Sequence, residues 1–128
     1  MTNQRPPVPT ESEEQQQIFQ WASYALGRYP ELKYMYHVPN GGVRNKATAG
    51  RLKAEGVKSG VPDICLPVPR GKYHGLYIEL KRRKGGRLSD DQSDWLAALR
   101  GFGYLAASCR GAREAIELIQ RYLNLREE

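Results

Sequence analysis

Three residues near the middle of this sequence have the types and spacing to act on a phosphodiester. Asp63 follows Pro62, and Glu79-Leu80-Lys81 closes an apolar run downstream. In a strand successive side chains alternate faces, so Glu79 and Lys81 project to one side and Leu80 points to the other, into core. If a strand at 63–68 pairs with one at 75–81, Asp63 lies beside Glu79. Two carboxylates and an ammonium then meet at one end of a sheet. Two carboxylates held together in a partly dry site repel each other and invite a cation. Hard carboxylate oxygens with water suit Mg²⁺ or Mn²⁺, an ion that polarises a phosphoryl oxygen and lowers the pKa of a bound water. Lys81 is placed to hold or deprotonate the attacking water and to offset transition-state charge.

Acid-x-Lys also occurs on exposed strand edges, so the surroundings decide. Residues 81–87 carry Lys81, Arg82, Arg83, Lys84 and Arg87 with no acid, and residues 44–58 carry Arg44, Lys46, Arg51, Lys53 and Lys58 against Glu55 alone. Half of the 20 Lys and Arg residues sit in these two stretches. They are either two solvated faces or a surface for phosphates with sequence-independent affinity. Arg44, Lys46, Arg51 and Lys53 from one stretch, and Arg82, Arg83, Lys84 and Arg87 from the other, are the candidate DNA contacts. Asn40, Gly41 and Gly42 either offer backbone N–H groups to a phosphate or simply turn the chain. Near the N-terminus Glu11 and Gln15 share a helix face, and Glu14 stands one turn before Ile18. These polar residues reach solvent at the helix end or face the site. Facing it, one Glu completes a metal shell and Gln15 positions water or backbone. His37 is a candidate general base or a structural strand-end residue, and His74 reads as exposed. Gln92 supports the site or serves only its helix cap, and Trp95 reads as core.

The elements that must position these groups follow from periodicity. Residues 11–28 form a first helix with Ile18, Ala22 and Ala25 at helical spacing and Gln15 and Glu11 continuing the stripe. Thr10 is its N-cap, with Glu13 three residues on. A short strand at 34–38 ends at Pro39-Asn40-Gly41-Gly42, and a basic helix at 44–54 ends at Gly56. Strands at 63–68 and 75–81 are joined through Gly71, a connection short enough for a hairpin. Ser89, with Gln92 three residues later, opens a helix whose apolar face is Trp95, Leu96, Leu99 and Phe102. A strand at 103–109 and a final helix at 112–123 complete the order α-β-α-β-β-α-β-α. That order predicts an α/β fold, a mixed central β-sheet flanked by helices.

The 128 residues fit one domain, predicted at 11–125 behind a flexible tail at 1–10 that carries Pro6, Pro7 and Pro9. Net charge is +6 and the pI about 9.5, which favours a polyanionic partner. No apolar run approaches the roughly 20 residues that cross a bilayer. The polar N-terminus lacks a signal core, so the expectation is a cytoplasmic protein without membrane contact. Cys65 and Cys109 lie in apolar runs without zinc-ligand spacing and do not make a disulfide framework.

The run PNGGVRNKATAGRLKAEGVKSGVPDICLPVPRGKYHGLYIELKRRKGGRLSDDQSDWLAALRGFGYLAASC resembles the VRR-NUC domain, a family within the PD-(D/E)xK nuclease superfamily. Several motifs recur in order: an acidic Glu/Gln helix, Pro-Asn-Gly-Gly, Gly-Val-Pro-Asp, Glu-x-Lys, and Ser-x-x-Gln with a following Trp. The resemblance runs from about Glu11 to Leu123 and looks like the stand-alone phage and bacterial type. It implies a restriction-endonuclease-like fold and a core of Asp63, Glu79 and Lys81, with the Leu80 carbonyl as a further metal ligand. It also implies a helical Glu and Gln near the site: Glu11 with Gln15, or Glu14 as the alternative Glu. The activity implied is Mg²⁺- or Mn²⁺-dependent cleavage of DNA leaving 5′-phosphate and 3′-hydroxyl ends. Stand-alone members are associated with homodimers that cut four-way (Holliday) junctions. The rival readings are a monomeric flap or nicked-duplex nuclease and a DNA-binding module without turnover.

Overall fold

The computed structural model describes residues 7–39 and 45–126. Helix α1 spans Glu11–Tyr24 and is opened by a capping box in which Thr10 and Glu13 satisfy each other's backbone N–H groups. It ends before the 28 expected, because the chain tightens into a 3₁₀ turn at Ala25–Gly27. A second 3₁₀ turn at Pro30–Tyr34, which periodicity does not signal, buries Leu32. Strand β1 is only Tyr36–His37, helix α2 is Lys46–Ala54, and strand β2 is Ile64–Leu66. Strand β3 spans Leu76–Lys81 and helix α3 spans Asp90–Gly101, the latter opened by the expected Ser89–Gln92 capping box. Strand β4 (Leu105–Arg110) and helix α4 (Gly111–Leu123) close the chain.

The sheet has the order β1-β2-β3-β4. The β1–β2 and β2–β3 pairs are antiparallel and β3–β4 is parallel, so the sheet is mixed as the element order predicts. The hairpin between β2 and β3 turns through Gly71, whose φ of 53° lies in the left-handed region. Leu76, Ile78 and Leu80 on β3 enter the main core with Ile18 and Ala22 of α1 and with Ala112, Ala115 and Ile119 of α4. Tyr77 faces the other way, into a smaller cluster with Trp95, Leu96 and Leu99 of α3 and Tyr104 and Ala106 beside them. Each fully buried aliphatic side chain contributes about 1.5–3 kcal/mol. The two layers therefore pack β3 from both faces up to its C-terminal end, Glu79–Lys81.

One assignment on α3 changes. Phe102, assigned to the apolar face of α3, is the C-cap of that helix and is exposed. Leu96, on the same face, is buried against the sheet as expected. Helix α2 has no buried residue among the described ones, and Lys46, Arg51 and Lys53 are exposed along it. Cys65 and Cys109 are buried free thiols, as expected.

Candidate active site

The β2–β3 register brings the acids together. Ile64 pairs with Ile78, and one step further along the same antiparallel ladder sets Asp63 opposite Glu79. The Asp63 carboxylate accepts a hydrogen bond from the Leu80 N–H at 2.7 Å (Oδ2). The Asp63 carbonyl accepts from the Val38 N–H at 2.7 Å and lies 2.8 Å from His37 Nδ1. A carbonyl only accepts, so His37 donates through Nδ1, and β1 is in effect a brace for Asp63. Asp63 is thereby locked at both its backbone and its side chain.

Glu79 is 2% exposed and Lys81 8% exposed, an unusual depth for charged groups. Lys81 Nζ lies 3.7 Å from Glu79 Oε2. The same Oε2 accepts from Gln92 Nε2 at 3.3 Å. Gln92 is turned the right way by its helix cap: its Oε1 accepts the Ser89 N–H at 2.9 Å, which leaves the amide nitrogen for Glu79. One amide thus caps α3 and reaches Glu79 at once. Glu79 Oε1 is buried and has no hydrogen-bond partner among the described residues. A buried acceptor left open in this way costs about 1–3 kcal/mol.

Beside these groups lies a cleft of about 290 Å³ lined by Glu11, Ser12, Gln15, His37, Pro39, Asp63 and Leu80. Glu11 and Gln15 share the helix face that the sequence assigns them, and that face borders the cleft. Glu14 does not line it. Its carboxylate is fully buried on another side of α1, where it receives Arg83 and the Ala112 N–H. The alternative choice of Glu is therefore corrected: the helical turn separating Glu11 from Glu14 sends the two carboxylates to different neighbours. Arg83 is likewise engaged by Glu14, and Arg82 donates to the Val8 and Pro9 carbonyls at 3.2 and 3.4 Å. Among the described residues no ion pair engages Lys84 or Arg87, and both are exposed. Asn40, Gly41, Gly42 and Arg44 lie outside the described residues. Ser12 and Pro39 enter the cleft without a sequence signal. Arg110, which sequence reasoning also passed over, lies outside the cleft and holds the basic loop from its position opposite Lys81 in the parallel ladder.

Burial pushes the Glu79 carboxyl up to about 8, with a further contribution from the Asp63 carboxylate beside it; Lys81 opposes the shift and Glu11 adds to it. The oxygen-bearing groups nearest to Glu79 are Asp63, opposite it in the ladder, and Glu11 and Leu80, which line the cleft with Asp63. Among the described residues no three His, Cys, Asp or Glu side chains are gathered closely enough to hold a metal by themselves. A cation here would draw on carbonyl and water oxygens as well, which suits a hard, strongly hydrated ion.

The VRR-NUC domain profile matches residues 9–113. The chain belongs to the VRR-NUC family. This nuclease-type assignment covers every element that lines the cleft and stops early in α4. A solved structure described as a VRR_NUC domain protein superposes with a TM-score of 0.80 at 29% identity, covering 95% of each chain. No curated protein matches the sequence. Among the described residues no helix is long and apolar enough to cross a membrane.

The VRR-NUC site carries a stability cost with a definite sign. Glu79 has a folded-state pKa above its ordinary value of 4.5, so folding favours its neutral form. Its contribution is fully present below pH 4.5 and is lost as pH rises through about 8. In metal-free buffer, Glu79→Gln removes this loss. One pKa unit is worth about 1.4 kcal/mol. With solvent relaxation, the variant is expected to gain about 1–3 kcal/mol at pH 9, or several degrees in Tm. Thermal denaturation at pH 5 and pH 9 checks it: wild type falls relative to Glu79→Gln on raising the pH. Parallel profiles would mean that Glu79 titrates normally.

Proposed function

We propose that this VRR-NUC protein is a divalent-cation-dependent DNA endonuclease that cuts four-way junctions as a homodimer. The observation that carries the reading is the locked Asp63–Glu79 pair, with a buried Glu79 oxygen left open and Lys81 beside it. Mg²⁺ or Mn²⁺ fits this deficit, held by Asp63, Glu79, the Leu80 carbonyl and Glu11. Such an ion supplies polarisation of the phosphoryl group and acidification of water. The protein's own groups do the rest. Gln15 orients the water that attacks in line. Lys81 assists removal of its proton and offsets the charge that builds on the phosphoryl oxygens. Gln92 keeps Glu79 aimed through the hydrogen bond to its Oε2. Cleavage then leaves a 5′-phosphate and a 3′-hydroxyl.

Lys84 and Arg87 beside β3, with Lys46, Arg51 and Lys53 on the exposed helix α2, supply the phosphate contacts. Arg82 and Arg83 are spent on the protein itself, as is Arg110. A four-way junction is two-fold symmetric and is resolved by paired cuts, so a C₂ dimer supplies matched sites. Exposed Tyr24, Tyr34 and Phe102 and the half-buried Trp21 and Trp95 supply apolar surface for such an assembly. The test incubates purified protein with linear, flap and four-way DNAs, with and without Mn²⁺, beside light scattering. Mn²⁺-dependent, symmetric nicking of the junction by a dimer is the expected result. Preference for flaps by a monomer overturns the junction reading, metal-independent cleavage overturns the cation dependence, and absent cleavage overturns the nuclease reading.

A further inference from the structure

Glu14 is fully buried and chemically engaged, yet it lies outside the cleft. Its Oε1 receives Arg83 through Nη2 at 2.9 Å and Nε at 3.0 Å. Its Oε2 receives the backbone N–H of Ala112 in the first turn of α4. Gly111, just before Ala112, has a φ of 85°, and a Cβ there would lie 2.5 Å from Glu14 Oε2 and 2.9 Å from Arg83 Cγ. Backbone conformation and close approach both demand glycine at this point. One carboxylate thus ties together α1, the start of α4 and the chain two residues beyond Lys81. Arg110 completes the arrangement from the end of β4, donating to the carbonyls of Arg82 at 3.2 Å, Gly85 at 2.6 Å and Gly86 at 3.1 Å.

The geometry assigns Glu14 and Arg83 as a positioning pair for the site, resting on the nuclease reading above. A helix can rotate about its axis unless something off-centre pins it. Glu14 is that pin for α1: it lies between Glu11 and Gln15 in sequence, and holding it against α4 turns the face bearing both toward the cleft. At the other end of the ion pair, Arg83 fixes the path of the chain as it leaves Lys81, whose ammonium must stay beside Glu79. The buried end of the pair has no solvent to compensate a lost partner, so breaking it loosens both connections. Neither residue contacts DNA or the cation. This separates the basic loop into moored residues (Arg82, Arg83) and presented ones (Lys84, Arg87), which the run of charges alone does not reveal.

The test uses the full chain with Glu14→Gln, Arg83→Ala, Arg83→Lys and the Glu14→Gln/Arg83→Ala double variant. Arg83 is 54% exposed on its side chain, so Arg83→Ala is informative even if Glu14→Gln folds poorly. Single-turnover cleavage of a four-way junction with Mn²⁺ is expected to slow about 10–100-fold in either single variant, since misplacement of site groups by about 1 Å costs that much. Arg83→Lys recovers part of the rate, and the double variant is no slower than the worse single. Junction affinity in EDTA and its salt slope stay at the wild-type value, as does Mn²⁺ affinity by calorimetry. Amide exchange rises together at residues 82–86 and 111–114 in Arg83→Ala, a readout that stands even if wild type cuts nothing; in that case the nuclease reading falls and the exchange result alone decides the pair. A salt slope lower by about 0.9 in Arg83→Ala would make Arg83 a phosphate contact and overturn the proposal. Loss of Mn²⁺ affinity in folded Glu14→Gln would make Glu14 a ligand, with the same consequence. Unchanged exchange would show that the pair positions nothing.

Discussion

Asp63→Asn and Glu79→Gln are each expected to abolish DNA cleavage while leaving DNA binding intact or strengthened. Each change is nearly isosteric, so the fold survives. For Glu79→Gln the folded state even gains, because the replaced carboxyl is one whose ionisation burial opposes. The loss is of a negatively charged oxygen donor at the point where the site has an open buried acceptor. Binding behaves oppositely, since removing a negative charge from the cleft removes repulsion of phosphate. Asp63→Asn tests geometry as well as charge. The Leu80 N–H can still donate to its side-chain oxygen, so a correctly built but uncharged site is what remains. Cleavage assays with Mn²⁺, paired with binding in EDTA, give both readouts. Near-wild-type turnover in either variant would show that the site is built on other residues.

Lys81→Ala carries the second large effect. The expected loss is about 10²–10⁴-fold in single-turnover rate, the range associated with a general acid or base. Cation affinity is expected to hold, because an ammonium donates no lone pair to a metal. The depth of Lys81 sharpens the test: at 8% exposure it lies within the site, unlike the exposed Lys84 and Arg87. Its loss should therefore leave the salt dependence of DNA binding nearly unchanged. Weaker binding with normal turnover on bound DNA would make Lys81 a phosphate contact.

How much of this was legible in the sequence depends on how local each feature is. The capping boxes at Thr10 and Ser89 are written in residues three apart, and both form. The alternation Leu76-Tyr77-Ile78-Glu79-Leu80-Lys81 states which side chains share a face, and the core and the site divide along it. The pairing of Asp63 with Glu79 follows from a hairpin between apolar strands, one register step past Ile64 and Ile78. What the sequence conceals is partner choice across long separations. Arg83 and Lys84 are neighbours of like charge, yet one meets Glu14 from α1 and the other does not. Glu11 and Glu14 differ only by a turn of helix, and which one borders the cleft depends on where α4 begins. Phe102 looked like a continuation of the α3 stripe because a helix's last apolar position and its C-cap cannot be told apart by spacing. The 3₁₀ turn at Pro30–Tyr34 is too short to show a period at all.

Gln92 couples a helix terminus to a buried carboxylate. The amide that closes the first turn of α3 is also the one that reaches Glu79. Helix ends fray, and the lifetime of a first turn shortens on warming. Each opening of that turn withdraws a hydrogen bond from the carboxylate at the same instant. The fraction of molecules with a complete site is therefore tied to the fraction with a wound α3 terminus, a local equilibrium that shifts well below the temperature of global unfolding. Activity in this protein should fade on heating before the fold does, with the helix cap as its thermometer.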